Sequence, residues 1–270
     1  MRAHGGPVSD FGVDVVREDG GIAWLVLRNP ARLNALRLEM WQAIPALVEA
    51  LAADRSARVL VIRGEGDAAF ASGADISEFT THRKDAASAR AYETTTANAF
   101  AALGSFERPV VAMIHGVCIG GGLAVAAAAD LRVASHDARF ALPPARLGLG
   151  YHLEGVERLV HIVGAPVATE MFFTARQYGA DEALRIGLVN QVVPQADLET
   201  FTRTYAGTIA RNAPLTLRAA KQTIAAVLRG ASEGDRRAID RMIAACFESA
   251  DYAEGVRAFL EKREPVFTGE

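Results

Sequence analysis

The chain has 270 residues, half of them hydrophobic, with 29 Lys and Arg against 32 Asp and Glu and a formal net charge of −3. That length can bury one sizeable core with a smaller accessory region, and the charge balance offers no general attraction for nucleic acid or an anionic membrane. Neither a signal peptide nor an apolar run long enough to span a bilayer stands out, and Cys118 and Cys246 match no zinc or redox spacing. A cytoplasmic, disulfide-free protein is the expectation.

Residues 1–10 read as a frayed end. Segments 13–17 and 22–27 read as strands joined by Asp19-Gly20-Gly21, a hairpin signal. Segment 38–52 carries Met40, Ile44, Leu47, Val48 and Leu51 on one helical face, and Pro45 is expected to kink or divide that helix. A short apolar strand at 59–62 ends at the glycines 64 and 66. A helix is expected over 85–103, then a buried strand over 110–114, a glycine turn, and a short helix of alanine, leucine and valine before Asp130. Strands are expected at 131–134, 139–142 and 188–193. Helices are expected at 154–163 and 167–173, separated by Gly164 and Pro166, with a helical turn at 181–186. From Leu198 onward nearly everything reads as helix, one starting at Pro214. Strand–helix alternation followed by a block of helices implies an α/β core with a C-terminal helical appendage.

The stretch from Arg108 to Asp130 organises the rest. Gly120, Gly121 and Gly122 let the backbone turn sharply and approach a ligand closely. They open a helix, where unpaired N–H groups and the positive dipole end favour a developing negative charge. With no polar side chain before Asp130, that helix must be buried almost all round. A buried helix whose end offers bare backbone donors suggests oxyanion stabilisation. The glycine run is not a dinucleotide or phosphate-loop fingerprint, and Ser72 lacks the flanking glycines of a nucleophile elbow.

Several stretches resemble the crotonase superfamily of enoyl-CoA hydratases, isomerases and related acyl-CoA enzymes. Residues 70–76 (FASGADI) are similar to its first oxyanion segment, and 116–122 with the alanine helix and Asp130 to its second. Asn34-Ala35-Leu36 is similar to its early CoA-contacting turn, 183–194 to its late helix–strand signature, and 259–263 to a C-terminal helix that closes over CoA. The resemblance implies a ββα spiral core over about 11–197 and a C-terminal helical region, 198–270, that covers CoA and mediates trimerisation. It also implies an acyl-CoA thioester substrate, no cofactor beyond the CoA of that substrate, no metal, and a homotrimer or dimer of trimers. By position the two backbone donors fall on Ala74 and Gly121. The substrate and CoA contacts fall on Arg32, Ala35, Ser72, Gly73, Asp75, Ile76, Lys262 and Phe267.

One part of the family pattern is missing. Hydratases of the family use two glutamates, and the matching positions hold Ala124 and Pro144, neither of which can exchange a proton. The loop beyond Pro144 offers Tyr151, His152 and Glu154 instead. A histidine there could move a proton between two carbons, and a glutamate desolvated by an apolar loop could acquire a raised pKa. Tyr151 matches by position a tyrosine that holds the substrate carboxylate in the methylmalonyl-CoA decarboxylase branch, where a histidine takes the place of Ala74. Each also has a bland reading: Tyr151 as packing, His152 as a surface residue, Glu154 as a dipole-favoured cap. The expectation is enoyl-CoA isomerisation or hydration through a thioester enolate, isomerisation fitting the missing glutamates better. The alternatives are a 2-carboxyacyl-CoA decarboxylase and a non-catalytic acyl-CoA-binding protein.

Overall fold

The computed structural model describes residues 10–151 and 153–270, with residue 154 by its backbone alone. The frayed end expected at residues 1–10 lies outside the described residues, save Asp10. Strand β1 (Gly12–Glu18) pairs antiparallel with β2 (Ile22–Arg28) through the expected glycine turn. The chain then runs through α1 (Leu38–Ala53), β3 (Val59–Gly64), β4 (Ala69–Ala71), α2 (Phe79–His82) and α3 (Ala86–Ser105). It continues through β5 (Val110–Ile114), β6 (Val117–Ile119), α4 (Gly121–Ala128), β7 (Leu131–Ser135), β8 (Arg139–Ala141) and α5 (Leu153–Thr174). Next come β9 (Tyr178–Gly179), α6 (Ala180–Arg185), β10 (Gln191–Val193), and the helices α7 (Leu198–Ala210), α8 (Pro214–Leu228), α9 (Glu233–Glu248) and α10 (Ala250–Glu261).

The strands form a six-stranded sheet in the order β1-β2-β3-β5-β7-β10 and a four-stranded sheet in the order β4-β6-β8-β9. In three successive strand pairs the first member joins the large sheet and the second the small one, so the chain alternates between the two sheets. All pairings within the large sheet are parallel except β1 with β2. Parallel strands buried on both faces read as continuous apolar runs, as β5 (VVAMI) does. Side-chain alternation divides the core in two. Leu25, Leu60, Ala112 and Ile114 face α1, α3, α4 and the second sheet, whereas Trp24, Val61, Val111 and Met113 face Leu198, Ala206 and Ala210 of α7.

Three expectations need correction. Pro45 sits inside α1 without dividing it: Met40, Trp41, Ile44, Val48 and Leu51 are all buried, and that packing holds the helix together across the missing N–H. The expected strand at 188–193 is shorter, because the N–H groups of Leu188 and Val189 both turn back to the Ala183 carbonyl and finish α6. The glycine turn before α4 contains a strand, β6, only three residues long and flanked by Gly116 (φ 53°) and Gly120 (φ 55°). Elsewhere the break expected in α5 falls at Gly164, with φ 78°. Among the described residues no helix is long and apolar enough to cross a membrane.

Candidate active site

Two turns of backbone meet at the start of α4. The first is built on Asn34, which is 1% exposed and adopts φ 55° beside Leu33 at φ 50°. This left-handed pair is held by the Asn34 side chain, whose Oδ1 accepts from the Asn29 N–H while its amide donates to the carbonyls of Glu65 (2.9 Å) and Ala69 (2.7 Å). Asparagine tolerates this conformation better than other non-glycine residues. The turn is thereby pinned to the end of β3 and the start of β4.

Segment 72–75 is laced to that turn. Ser72 donates its N–H to the Leu33 carbonyl and its hydroxyl to the Arg32 carbonyl. Leu36 donates to the Gly73 carbonyl at 2.7 Å, and Asp75 donates to the Leu36 carbonyl at 2.9 Å. Leu36 and Ala74 thus form a one-residue parallel bridge. Because backbone polar groups alternate in direction along an extended segment, the Ala74 N–H must point the other way. That way lies Gly121. A methyl group placed on Gly121 would stand 3.5 Å from the Ala74 nitrogen, and one placed on Gly73 would stand 3.6 Å from the Gly121 nitrogen.

Gly121 is the first residue of α4, so its N–H has no acceptor within the helix. Neither the Ala74 nor the Gly121 N–H donates to any acceptor among the described residues. Two free amides converge on one small space, reinforced by the positive end of a helix of eight residues, six of them buried. The glycines are needed here for space: a methyl on Gly122 would lie 2.2 Å from the Ala71 carbonyl oxygen. Such a pair of donors can stabilise a developing negative charge on oxygen.

Around this space stand side chains that the sequence did not single out. The buried Trp41 indole would be 3.1 Å from a Gly121 methyl, packs edge-on against Phe100, and donates its Nε1–H to the Tyr92 hydroxyl at 3.1 Å. Burial pushes the Tyr92 hydroxyl up to about 12, and the Trp41 hydrogen bond opposes that rise. Glu78 accepts from Arg37 Nε and from the Leu38 N–H, which ties the segment after Asp75 to the start of α1. The apolar face read for α1 did not include Trp41, although its spacing from Ile44 and Val48 puts it there.

The remaining expected residues divide into two groups. Asp75 is 4% exposed and accepts from the Ser77 N–H and hydroxyl, with Arg32 Nη1 at 3.6 Å from it. Ala35 is buried and its carbonyl accepts from Asn29; Ile76 is 56% exposed. Arg32, Ala35, Ser72, Gly73, Asp75 and Ile76 therefore gather beside Ala74. Lys262 and Phe267 are elsewhere on the chain: Lys262 ends α10 with φ 55°, and Phe267 lines a groove among α8, α9 and α10 while its carbonyl accepts from Arg58.

Ala124 lies one turn into α4, partly buried, and Pro144 is buried at the start of a single 3-10 turn. Tyr151 packs edge-on against Phe172 with ring centroids 5.2 Å apart. Its hydroxyl is pushed up to about 12 by the protein packed around it, although 37% of the residue's surface meets solvent, and the positive charge of Arg83 pulls the other way. His152 lies outside the described residues. Glu154 is described by its backbone alone, in the first turn of α5. Among the described residues no group of three or more His, Cys, Asp or Glu is placed to hold a metal ion.

Comparison with known proteins follows the geometry. The family model described as Enoyl-CoA hydratase/isomerase matches residues 17–270. The chain is 32% identical over 257 residues to a short-chain-enoyl-CoA hydratase of Clostridium acetobutylicum, covering 93% of this chain and 95% of that one. It is 33% identical over 260 residues to a crotonyl-CoA hydratase of Syntrophomonas wolfei, covering 94% and 96%. Its fold superposes on the crystal structure of an enoyl-CoA hydratase/carnithine racemase from Magnetospirillum magneticum with a TM-score of 0.90, at 36% identity and 96% coverage of both chains. The chain belongs to the enoyl-CoA hydratase/isomerase family of the crotonase superfamily, and is an acyl-CoA enzyme of that family.

Proposed function

We propose that the chain binds an acyl-CoA thioester with its carbonyl oxygen between the N–H groups of Ala74 and Gly121, and moves a double bond between C2–C3 and C3–C4 through a thioester enolate. The observation that carries this reading is the convergence of two amides without acceptors among the described residues, one in the segment that follows β4 and one at the first residue of α4. A base takes the C2 proton of a 3-enoyl ester, the electron pair moves onto the thioester oxygen, and a proton returns at C4. Charge builds on that oxygen only as the bond to hydrogen breaks, so fixed donors favour the transition state over the ground state. One such donor contributes about 3–4 kcal/mol to lowering a barrier of this kind.

Hydration needs two proton-exchanging groups to deliver water across the double bond, and Ala124 and Pro144 supply none. Isomerisation needs a single group that gives back what it takes, and His152 or Glu154 fills that role in this reading. CoA arrives as part of the substrate and no other cofactor is called for. Arg32, Ala35, Ser72, Gly73, Asp75 and Ile76 form the near side of the substrate site, and Lys262 and Phe267 belong to residues 198–270, which cover CoA. Decarboxylation of a 2-carboxyacyl-CoA is the second reading, favoured by Tyr151, which stands where the methylmalonyl-CoA decarboxylase branch keeps a tyrosine for the substrate carboxylate.

We also propose a trimer or dimer of trimers in the cytoplasm. Its support is the C-terminal apolar surface: a groove of about 860 Å³ among α8, α9 and α10, flanked by Phe247 (62% exposed), Phe259 (84%) and Leu260 (75%). Sedimentation of the purified chain as a single copy would remove the assembly. The same preparation is then offered 2-enoyl-, 3-enoyl- and malonyl-type CoA esters. Turnover of the 3-enoyl ester to the 2-enoyl ester is the expected result, lost in Glu154→Gln or His152→Ala. CO2 release from the malonyl-type ester, with sensitivity to Tyr151→Phe, would replace it with the second reading. Affinity for every ester without turnover of any would leave only a binding protein.

A further inference from the structure

Arg83 follows α2 and carries a charge that the pair of backbone donors does not require. Its side chain is 16% exposed. The guanidinium carbon lies over two rings, 4.7 Å from the centroid of Phe79 and 4.9 Å from that of Tyr92. Stacking of this kind engages the flat face of a guanidinium and leaves its in-plane N–H groups available. Of the five donors, only Nη2 has a hydrogen-bond partner among the described residues, Glu93 Oε1 at a long 3.4 Å.

Its position ties it to the reaction site. Tyr92 accepts from the Trp41 indole, and that indole lies against Gly121. The positive charge of Arg83 also opposes the upward push that burial gives the Tyr151 hydroxyl. The guanidinium therefore belongs to the α3 wall of the site, stacked on Tyr92 and linked to Glu93. Two aromatic side chains intervene between it and Gly121. An anion meeting it lies several bonds beyond the thioester carbonyl, at the far end of a short acyl chain rather than on C2.

We propose that Arg83 is a specificity-determining residue that selects acyl-CoA esters whose acyl chain ends in a carboxylate, taking that carboxylate on its free N–H edge. The planar fork of a guanidinium matches the two oxygens of a carboxylate, and charge-assisted bonds of this type are the strong ones, more so where water is largely displaced. A methyl-terminated chain of equal length would leave those donors desolvated and unpaired, which is a penalty rather than a neutral outcome. The plain alternative is a structural one, with Arg83 tying α2 to α3 through Phe79, Tyr92 and Glu93.

The inference rests on the acyl-CoA reading above, so its test uses saturated esters that need no turnover. Calorimetry on the intact protein compares glutaryl-CoA with pentanoyl-CoA, which differ only in the terminal group, and with ethylmalonyl-CoA, which carries the carboxylate on C2. Glutaryl-CoA is expected to bind about tenfold tighter than pentanoyl-CoA. Arg83→Gln is expected to bring that ratio close to one, mainly by weakening glutaryl-CoA, and Arg83→Lys to restore part of it. Equal affinities for glutaryl-CoA and pentanoyl-CoA in the wild-type protein would overturn the proposal, as would tighter binding of ethylmalonyl-CoA than of glutaryl-CoA. An Arg83→Gln variant that weakens all three esters alike would assign Arg83 the structural role instead. Failure to turn over any enoyl ester counts against the enolate chemistry and leaves the affinity ratio to be read on its own.

Discussion

In the proposed reaction the start of α4 and the loop from Pro143 to Tyr151 do different work, and they are built of different material. At the start of α4 the working atoms are main-chain nitrogens, and their placement follows from sheet pairing, a bridge between Leu36 and Ala74, and helix geometry. In the loop, the working atoms of the proposed reaction are side-chain acids and bases, and Pro144 there, like Ala124 in α4, has no proton to exchange. Main-chain donors change only when the fold changes. Side-chain acids can be lost by single substitutions that leave the fold intact. Family membership therefore specifies the anion-stabilising half of the chemistry here and leaves the proton-moving half open.

The sharpest way to break the comparison is Gly121→Val. Its branched side chain would fill the space between the two amides, where even a methyl comes within 3.5 Å of the Ala74 nitrogen and 3.1 Å of Trp41. A fall in kcat of about 10²–10³-fold is expected, measured on the ester that the wild-type enzyme turns over best, with circular dichroism reporting the retained fold. An unimpaired variant would mean that the oxygen is stabilised elsewhere.

A smaller effect sharpens the other side of the comparison. Tyr92 lines the wall and Tyr151 the loop, and both hydroxyls are pushed up to about 12 by the protein around them. Below pH 10 the phenols are protonated in folded and unfolded chains alike. As pH rises past 10 the unfolded chain releases those protons while the native chain keeps them, so stability falls from about pH 10 until the folded values near 12 are reached. Absorbance titration is expected to show late-ionising phenols that disappear in Tyr92→Phe and Tyr151→Phe. If Tyr151 ionised as an ordinary phenol, the loop would be wetter than described.

Much of the site was legible before any coordinates because it depends on glycines, which have few other reasons to occur three in a row. Helix α1 was legible because apolar spacing marked one face, and strand β2 because an apolar run follows a glycine turn. The three-residue strands β4 and β6 were not: a strand that short has no periodicity to display, and its pairing partners lie tens of residues away, at Val117 and Arg139. Trp41 and Tyr92 were missed for a related reason. A residue that packs against the core and also borders a ligand has the same local pattern as one that only packs, and what distinguishes them here is a hydrogen bond across 51 positions of sequence. Arg83 looked like an ordinary charge in a polar run (HRKD), and only its two flanking rings set it apart.

The one-residue bridge between Leu36 and Ala74 also bears on how this stretch can evolve. Extended backbone reverses the direction of its amides at every step, so the parity of the count from Ser72 to Asp75 decides which amide looks toward Gly121. Apart from Gly73, whose φ of 111° favours glycine, side chains in that stretch can drift with little consequence for the donor. Gaining or losing a single amino acid would turn the amide to face the opposite way. Divergence along this lineage is therefore expected to leave the length of the stretch untouched while its composition varies.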